Sequence, residues 1–573
     1  MIHELYSNKP NYFNHISFNK GINIILADGN DNLEENSRNG LGKTTLINII
    51  HFCLGARKNE DLPIQKLSDW EFTIVIDLFD EKITATRSFK NTSIITVKGD
   101  FDNFPIKPKY SKENKTYFYP INSWTTLLGQ SLFNLKIDDT FKIKPSFRML
   151  ISYFIRKTDN DFKKPFKTVS TSIKPIYSDL CTCLFLGLNW RLISKYQELN
   201  DENKDLTKNK KNIKESYGTM GELRPEINRL KKDVENYKSE LDNFEILESY
   251  SDFEKEANKL TEELHELYRK RSILNKKLKQ YEDSITSEET PKIDIEKIYN
   301  EVNFYFNENI KKTLNESEKF HENIILNRKK FLESEILSVQ NELSEIEDSI
   351  NQKSKQRSKS MDVLNNFGAL HEYTAIQNKY ITKKQNLEEL ESIIEKYENI
   401  NFKKQKIKSE KIEIEDKIQL DYLENKSHLD NLINLFSENS SKLYDIPGDL
   451  IIDTIDKGFE FEIKIPKSKS LGKSKMMTFC YDLMLLETFY DENLIDFLVH
   501  DSNIFDGVDS RQYGNSLNLI NEKCQEKDLQ YICMLNSDSI PKDKINFDLD
   551  EKIILKLTDE KIEDSLLGFE FII

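Results

Sequence analysis

The spacing of apolar and polar residues divides the chain into three stretches. From the N-terminus to about Gly187, apolar runs of strand length, such as residues 22–26, alternate with polar turns and helix-like segments. After Pro447 the same alternation of apolar runs, turns and helix-like segments returns, with buried-strand runs at residues 497–499 and 531–535. This mixture predicts α/β structure at both ends of the chain.

Between about residues 192 and 435 the apolar residues fall on a heptad grid. From Met220 to Phe244 they are spaced three and four apart in strict alternation, and residues 332–350 repeat the pattern. An apolar residue every 3.5 positions keeps one stripe facing a partner helix, so this stretch predicts a coiled coil. A segment rich in Ser, Thr, Glu and Pro at residues 284–291 predicts the turn where the rod doubles back.

These patterns predict one α/β head assembled from two distant lobes, with a long antiparallel coiled-coil hairpin inserted between them. A passive spacer or dimerisation element is the alternative interpretation of the rod. The predicted parts are an N-terminal lobe at 1–187, an outgoing arm at 188–283, a tip turn at 284–298, a returning arm at 299–440 and a C-terminal lobe at 441–573.

Composition narrows the class of protein. The 573 residues include only 17 Gly and 13 Pro, and 32% are charged, which suits long exposed helices. No apolar run approaches the roughly 20 residues of a membrane span, and the N-terminus lacks a secretory pattern, so we expect a cytoplasmic protein without a membrane partner. The net charge of −15 argues against general coating of nucleic acid, although it allows one basic groove.

The strongest local motif runs Ser37-Arg-Asn-Gly-Leu-Gly-Lys43-Thr44-Thr45, between a strand-like and a helix-like run. Glycines let backbone N–H groups close around phosphates at a helix N-terminus, which predicts a P-loop; a glycine-rich turn before an ordinary helix is the alternative. Lys43 would reach the β- and γ-phosphates and Thr44 would ligand Mg²⁺. Ser37 departs from the pattern, which has glycine there. The predicted nucleotide-binding residues here are Asn39, Gly40, Gly42, Lys43, Thr44 and Thr45.

A P-loop needs an acidic partner at the end of a buried strand to hold Mg²⁺. Asp501 follows a short apolar strand and is preferred over Asp491-Glu492, which ends a helix-like run. Ser502 then stands where a catalytic glutamate would polarise water, and Asp506 or Asp509 could substitute. The sequence therefore supports nucleotide binding more strongly than turnover, with Asp501 and Asp506 as the catalytic candidates.

A second phosphate-binding surface is predicted at Ser470 and Gly472, where a hydroxyl and a glycine precede a helix-like run. A surface loop is the alternative for this motif by itself. One molecule cannot easily apply both surfaces to the same ATP. The usual solution is a pair of heads, in which the Ser470 surface of one closes on the nucleotide of the other.

In this order, the motifs resemble the structural-maintenance-of-chromosomes (SMC) and recombination-repair branch of ABC-type ATPases, which includes RecN-like proteins. Further stretches resemble a bacterial SMC-like family known mainly as a domain of unknown function. They are Phe147-Arg-Met-Leu-Ile-Ser-Tyr-Phe-Ile-Arg156, Phe320-His-Glu-Asn-Ile-Ile-Leu-Asn-Arg328, His500-Asp-Ser502 with Phe505-Asp506, and Gln530-Tyr-Ile-Cys-Met-Leu-Asn536.

The resemblance implies a homodimer of heads that holds two ATP and Mg²⁺, with Ser470 and Gly472 acting in trans. Asn536 falls where relatives carry a switch histidine that contacts the γ-phosphate. The resemblance also implies DNA binding without sequence preference, and control of an effector nuclease with an accessory subunit in anti-phage defence, such as Lamassu or three-component ABC systems. Rival interpretations are a DNA double-strand-break repair ATPase with a nuclease partner, and a non-hydrolysing nucleotide-gated scaffold.

Cysteine and lysine positions bear on these alternatives. No cysteine occurs between Cys183 and Cys480, so a zinc hook at the tip of the rod is excluded. Cys181 and Cys183 are predicted to be a reduced, buried pair. Lysine clusters in the α/β part, at residues 107–115 and 163–167, are the better candidates for DNA phosphates, because those of the rod have glutamate neighbours.

Overall fold

The computed structural model describes residues 1–28, 41–56, 66–136, 140–171, 174–244, 251–287, 308–365, 369–464, 471–558 and 565–568. The strands are β1 (Ile2–Ser7), β2 (Ile16–Ser17), β3 (Gly21–Asp28), β4 (Glu71–Leu78), β5 (Glu81–Ser88), β6 (Ile94–Lys98), β7 (Lys109–Ser111), β8 (Thr116–Pro120), β9 (Ile155–Arg156), β10 (Asp449–Ile455), β11 (Gly458–Lys464), β12 (Phe497–His500), β13 (Gln530–Asn536) and β14 (Ile553–Thr558).

The helices are α1 (Lys43–Cys53), α2 (Ile121–Phe133), α3 (Phe147–Phe154), α4 (Asp159–Phe162), α5 (Pro175–Phe185), α6 (Trp190–Tyr217), α7 (Met220–Asp242), α8 (Ser251–Ser287), α9 (Glu308–Asn365), α10 (Ala369–Glu424), α11 (Lys426–Leu443), α12 (Leu471–Asp491) and α13 (Ser510–Glu526). The chain forms two compact units. The first includes Met1–Asp201 and Ser409–Ile573, and the second includes Glu202–Ile298 and Lys311–Lys408.

A parallel sheet in the first unit joins the two ends of the chain. Its order is β14-β3-β13-β12-β9, so the N-terminal strand β3 lies between two C-terminal strands. The register pairs Ile24 with Cys533 and Val499 with Ile155. Both β12 and β13 are buried along nearly their whole length, as expected for strands covered on both faces.

A second sheet in this unit is antiparallel, with the order β2-β1-β4-β5-β6-β8-β7. Buried residues alternate along β5, so one face of this sheet packs inward. The N-terminal residues are tied to the parallel sheet, because the Gln530 side chain exchanges hydrogen bonds with the backbone of Ile2. Near these sheets, α2, α3, α5 and α12 contribute an aromatic cluster of Phe133, Phe154, Phe185 and Phe489.

The second unit consists of long helices that pair in antiparallel fashion. A buried apolar cluster joins α8 to α9 through Leu264, Leu274, Val339, Leu343, Ile346 and Ile350. Lys353 pairs with Glu263 at 2.5 Å and the Tyr281 hydroxyl lies 3.4 Å from Glu335, which fixes the antiparallel direction. The heptad positions predicted from the sequence include these buried residues.

Within the described residues of the outgoing arm, three helices follow one another, namely α6, α7 and α8. Gly218 has a positive φ of 86° and separates α6 from α7, whose start is capped by Thr219 and Glu222. Pro225 lies inside α7, close to its start. Helix α8 continues to Ser287, into the segment 284–298 where a turn was predicted, and residues 288–298 lie outside the described part.

Within the described residues, no helix combines the length and the apolar character that crossing a membrane requires. The six cysteines have no disulfide partner, and Cys181 and Cys183 are both buried. Burial raises the pKa of each of these two thiols, so both are protonated at neutral pH.

Candidate functional site

Helix α1 begins at the edge of the parallel sheet where β3 ends. Gly42 precedes it with a φ of 98°, a left-handed conformation that suits glycine. A Cβ at this position would lie 2.6 Å from Cβ of Leu566, so the contact with the C-terminal segment also requires glycine. Lys43, Thr44 and Thr45 form the first turn of the helix, and the N-terminus of a helix favours an anion.

Two side chains of this first turn contact residues from the other end of the chain. The Lys43 ammonium donates a hydrogen bond to Oδ1 of Asn536, at the end of β13. The Thr44 hydroxyl donates to Oδ2 of Asp501, directly after β12, at 2.9 Å. The carboxyl ends of parallel strands meet at one edge of a sheet, which is why residues more than 450 positions apart converge here.

Asp501 is buried, with 2% of its side chain exposed. Burial raises the pKa of its carboxyl group, whereas hydrogen bonds from the backbone N–H of Asn503 and the hydroxyl of Thr44, together with the charge of Lys43, act in the opposite direction. Ser502 donates to Oδ1 of Asp501 at 3.4 Å. The carboxylate is therefore held by donors from α1 and from the turn that follows β12.

The predicted second surface lies at the start of α12. A Cβ on Gly472 would lie 2.3 Å from the backbone oxygen of Gly507, so this glycine lets the helix approach the loop after Asp501. The adjoining recess has a volume of about 510 Å³. Its lining includes the cationic side chains Lys473 and Arg511, together with Asp509.

Lys475 fastens this helix to the loop that follows Asp501. Its ammonium donates to the backbone oxygens of Asn503 and Asp506, at 2.6 and 3.2 Å, and pairs with Asp159 at 2.8 Å. Only 1% of Lys475 is exposed. A buried ammonium needs such partners to offset its lost hydration. Lys475 lies in the helix-like run that follows Ser470 and Gly472, and no role was predicted for it from the sequence.

A second buried group joins three elements behind the site. Arg156 on β9 makes a two-pronged ion pair with Asp482 on α12, with both N···O distances at 2.7 Å. His500, the residue before Asp501, lies 3.1 Å from the same carboxylate. Burial lowers the pKa of His500. Burial also acts to lower the pKa of Arg156, but the charge and hydrogen bonds of Asp482 more than offset it, so the pKa of Arg156 is raised. Arg156 is the last residue of one stretch that carries the family resemblance and His500 is the first of another, and this resemblance is the one signal that could have found them.

The structure brings together some predicted residues and leaves others apart. Gly42, Lys43, Thr44, Asp501 and Asn536 lie at one place, and Thr45 is buried in the same turn. The Asp506 carboxylate is exposed, and its backbone oxygen faces Lys475. Asp491, the alternative to Asp501, pairs with Lys527 at 2.7 Å. Three predicted residues, Asn39, Gly40 and Ser470, lie outside the described residues.

The side chains at the sheet edge fit a hydrated magnesium ion with a phosphate ligand. Thr44 and Asp501 supply hard oxygen atoms 2.9 Å apart, the ligand type that Mg²⁺ prefers. Among the described residues there is no cluster of three His, Cys, Asp or Glu side chains that could hold a metal alone. Such a pair suits Mg²⁺, which commonly keeps waters and substrate phosphates as its remaining ligands.

Comparison with known proteins places this chain beside bacterial sequences of undefined role. A family model described as an uncharacterised protein conserved in bacteria (DUF2326) matches residues 439–571, which contain the His500–Ser502 and Gln530–Asn536 motifs. The uncharacterized protein YydD of Bacillus subtilis (strain 168) is 23% identical over 587 residues, covering 96% of each chain. The family match agrees with the resemblance predicted for this part of the chain.

Among solved structures, the chain is similar to two archaeal Smc head domains. One, with a coiled coil and joint, is from Pyrococcus yayanosii, with 16% identity, coverage of 95% of this chain and 93% of that chain, and a TM-score of 0.36. The other, with an extended coiled coil and bound to the C-terminal domain of ScpA, is from Pyrococcus furiosus, with 12% identity, coverage of 99% and 94%, and a TM-score of 0.33.

Proposed function

We propose that this chain is an SMC-like P-loop ATPase that binds Mg·ATP between two heads and couples head closure to DNA binding. The observation that carries the proposal is the meeting of Lys43 and Thr44 with Asn536 and Asp501 at the carboxyl edge of the parallel sheet. In open α/β sheets, ligands bind in the crevice at this edge. The helix N-terminus and the ammonium then suit a triphosphate.

Each residue has a distinct role in this proposal. Lys43 would leave Asn536 and hold the β- and γ-phosphates, while Thr44 and Asp501 would hold Mg²⁺ directly or through water. The metal would neutralise charge that develops on the phosphates. Asn536 would then be free to donate its amide N–H to a phosphate oxygen.

The recess beside Gly472 would bind the nucleotide of a second chain. Its cationic residues Lys473 and Arg511 match the charge of a triphosphate, and Gly472 lets the start of α12 pack closely against the loop that lines the same recess. Each closed pair of heads would hold two nucleotides in this way. We further propose that closure controls an effector in bacterial defence, with DNA repair alongside a nuclease partner as the alternative.

One observation favours a second candidate, a nucleotide-gated scaffold that does not hydrolyse ATP. Ser502 occupies the position next to Asp501 where a carboxylate base would act, and its hydroxyl bonds to Asp501. A serine hydroxyl is not a base at neutral pH without an activating partner. Loss of steady ATP turnover in Asp506→Asn would locate the base and reject the scaffold, whereas turnover absent from the wild-type chain would support it.

The test of nucleotide binding is titration of the purified chain with a fluorescent ATP analogue in the presence of Mg²⁺. Lys43→Ala removes the ammonium that faces the phosphates, so its affinity should fall about 100-fold, the loss of a strong charge-assisted contact of about 3 kcal/mol. Lys90→Ala, at an exposed lysine in the connection between β5 and β6, is the matched control and should bind like wild type. Equal binding by Lys43→Ala would show that the site is elsewhere.

A further inference from the structure

A pair of exposed tyrosines marks one edge of the antiparallel sheet. Strand β7 is the last strand of that sheet, and its register places Tyr110 directly opposite Tyr117 on β8. Side chains of directly opposed residues lie on the same face, and these rings have centroids 5.1 Å apart. Both remain exposed, at 51% and 46%. The pair stabilises the hairpin while its outer surface stays open to solvent.

The tyrosine pair is backed by further aromatic rings from inside the unit. The Phe101 ring lies 5.8 Å from that of Tyr117, and Phe104 lies 5.4 Å from Phe101. Phe104 is buried. This backing holds Tyr117 against the protein, so an incoming planar group would meet a platform that is already ordered. Preorganisation of this kind lowers the entropy that binding costs.

Lysines flank the tyrosine pair along the chain. Residues 107–117 contain Lys107, Lys109, Lys112 and Lys115, all exposed, against the single acidic residue Glu113, an excess of three positive charges in a chain whose net charge is −15. The Lys107 ammonium donates to the backbone oxygens of Phe101 and Asp102, at 2.8 and 2.6 Å, and thus lies beside the aromatic row. We call Lys107, Tyr110, Lys112, Lys115 and Tyr117 the hairpin surface.

We propose that the hairpin surface binds single-stranded nucleic acid, with bases stacked on Tyr110 and Tyr117 and phosphates contacted by the lysines. Aromatic rings flanked by cations are the means by which proteins bind single strands without reading sequence. Duplex bases are already stacked on each other and would not use the rings. The proposal rests on the nucleic-acid part of the proposed function and is independent of its ATP part.

The test is fluorescence anisotropy of the full chain with a labelled oligothymidine and with a duplex of equal length. Stacking contributes about 1–3 kcal/mol per base, so Tyr110→Ala/Tyr117→Ala, which removes two rings, should lose at least about 30-fold in affinity for the single strand. Duplex affinity should stay within about twofold of wild type, since only phosphates are then bound. Tyr110→Phe/Tyr117→Phe keeps both rings and should bind the oligothymidine like wild type. Tyr268→Ala, at an exposed tyrosine of α8, is the control.

Three outcomes would overturn the assignment. Unchanged oligothymidine affinity in the double alanine variant, with a loss in Lys112→Gln/Lys115→Gln, would make the surface a phosphate contact alone. Equal losses for single strand and duplex would remove the role of stacking. A wild-type chain that binds neither probe would end the nucleic-acid part of the proposed function as well. Loss of single-strand affinity with ATP-analogue binding intact would support the inference by itself.

Discussion

Thr44 connects the two halves of the candidate site. Its hydroxyl donates to the buried Asp501, and its neighbour Lys43 donates to Asn536, so each contact joins residues that are distant in sequence. The roles of Lys43 and Thr44 in a phosphate site were predicted from the sequence, because a glycine-rich turn before Lys-Thr has a recognisable local pattern. The partner of Lys43 was not, since no local pattern pairs a lysine with an asparagine 493 positions away.

Lys475 offers a prediction at the same scale. Replacing it by Met leaves the backbone oxygens of Asn503 and Asp506 without this donor, at about 1–3 kcal/mol for each unsatisfied buried group. We expect faster hydrogen exchange at the amides of residues 502–506 and a loss of ATP-dependent association, with ATP-analogue affinity within about threefold of wild type. Mass-spectrometric hydrogen exchange measures the first effect and sedimentation velocity measures the second.

Lys473→Met is the control for the exchange measurement alone, because Lys473 also lines the recess proposed to face the partner's nucleotide. Lys473 lies two residues earlier on α12 and is partly exposed, with its ammonium 6.0 Å from the centre of the Tyr444 ring. It makes no contact with the two loop oxygens that Lys475 binds. Exchange at residues 502–506 should therefore match wild type in Lys473→Met. Equal protection in both variants would show that Lys475 does not hold the loop.

At the scale of elements, the sequence pattern predicted the helices better than the sheets. Heptad spacing gave the buried positions of α7, α8 and α9, because one helix repeats the same signal over many turns. Strand β9 has two residues, Ile155 and Arg156, too few for any periodicity. The order β14-β3-β13-β12-β9 depends on pairings between chain ends, and local pattern carries no information about them.

The helical unit gives a prediction at this scale. Leu343 belongs to the buried cluster between α8 and α9, and Leu343→Ala removes apolar contacts worth about 2–5 kcal/mol. Amide hydrogen exchange in α8 and α9 should accelerate in proportion to this loss of stability. Leu337→Ala in the same helix is the control, because that side chain is 59% exposed and its loss should cost less than about 0.5 kcal/mol. Similar exchange in the two variants would contradict the predicted pairing of the helices.

At the scale of the whole molecule, the proposed pair of heads has a test that needs two variants at once. Lys43→Ala should lose nucleotide binding, and Arg511→Ala should lose the cation that would face the partner's nucleotide. Neither variant alone should associate on addition of ATP. In a mixture, one of the two sites per pair combines an intact Lys43 with an intact Arg511, so ATP-dependent association should return.

Sedimentation velocity of the mixture, with and without Mg·ATP, measures this complementation. Wild-type chain is the reference for full association, and the two separate variants set the background. If the mixture associates no more than the two separate variants, the recess beside Gly472 does not bind the nucleotide of a second chain. It would then act on the nucleotide of its own chain or have no part in the site. Recovery would also separate the nucleotide role from any effect on folding, because both variants then contribute to one active pair.

The most direct test of the central claim is calorimetric titration of ATP into Asp501→Asn with and without Mg²⁺. Because both ends of the chain are proposed to build one ATP site, a change at Asp501 should weaken the binding of ATP beside Lys43. We expect the Mg²⁺-dependent gain in ATP affinity to disappear in Asp501→Asn, since an amide is a far poorer magnesium ligand than a carboxylate. If Mg²⁺ raised the ATP affinity of Asp501→Asn as much as that of wild type, the two ends of the chain would not share one Mg·ATP site.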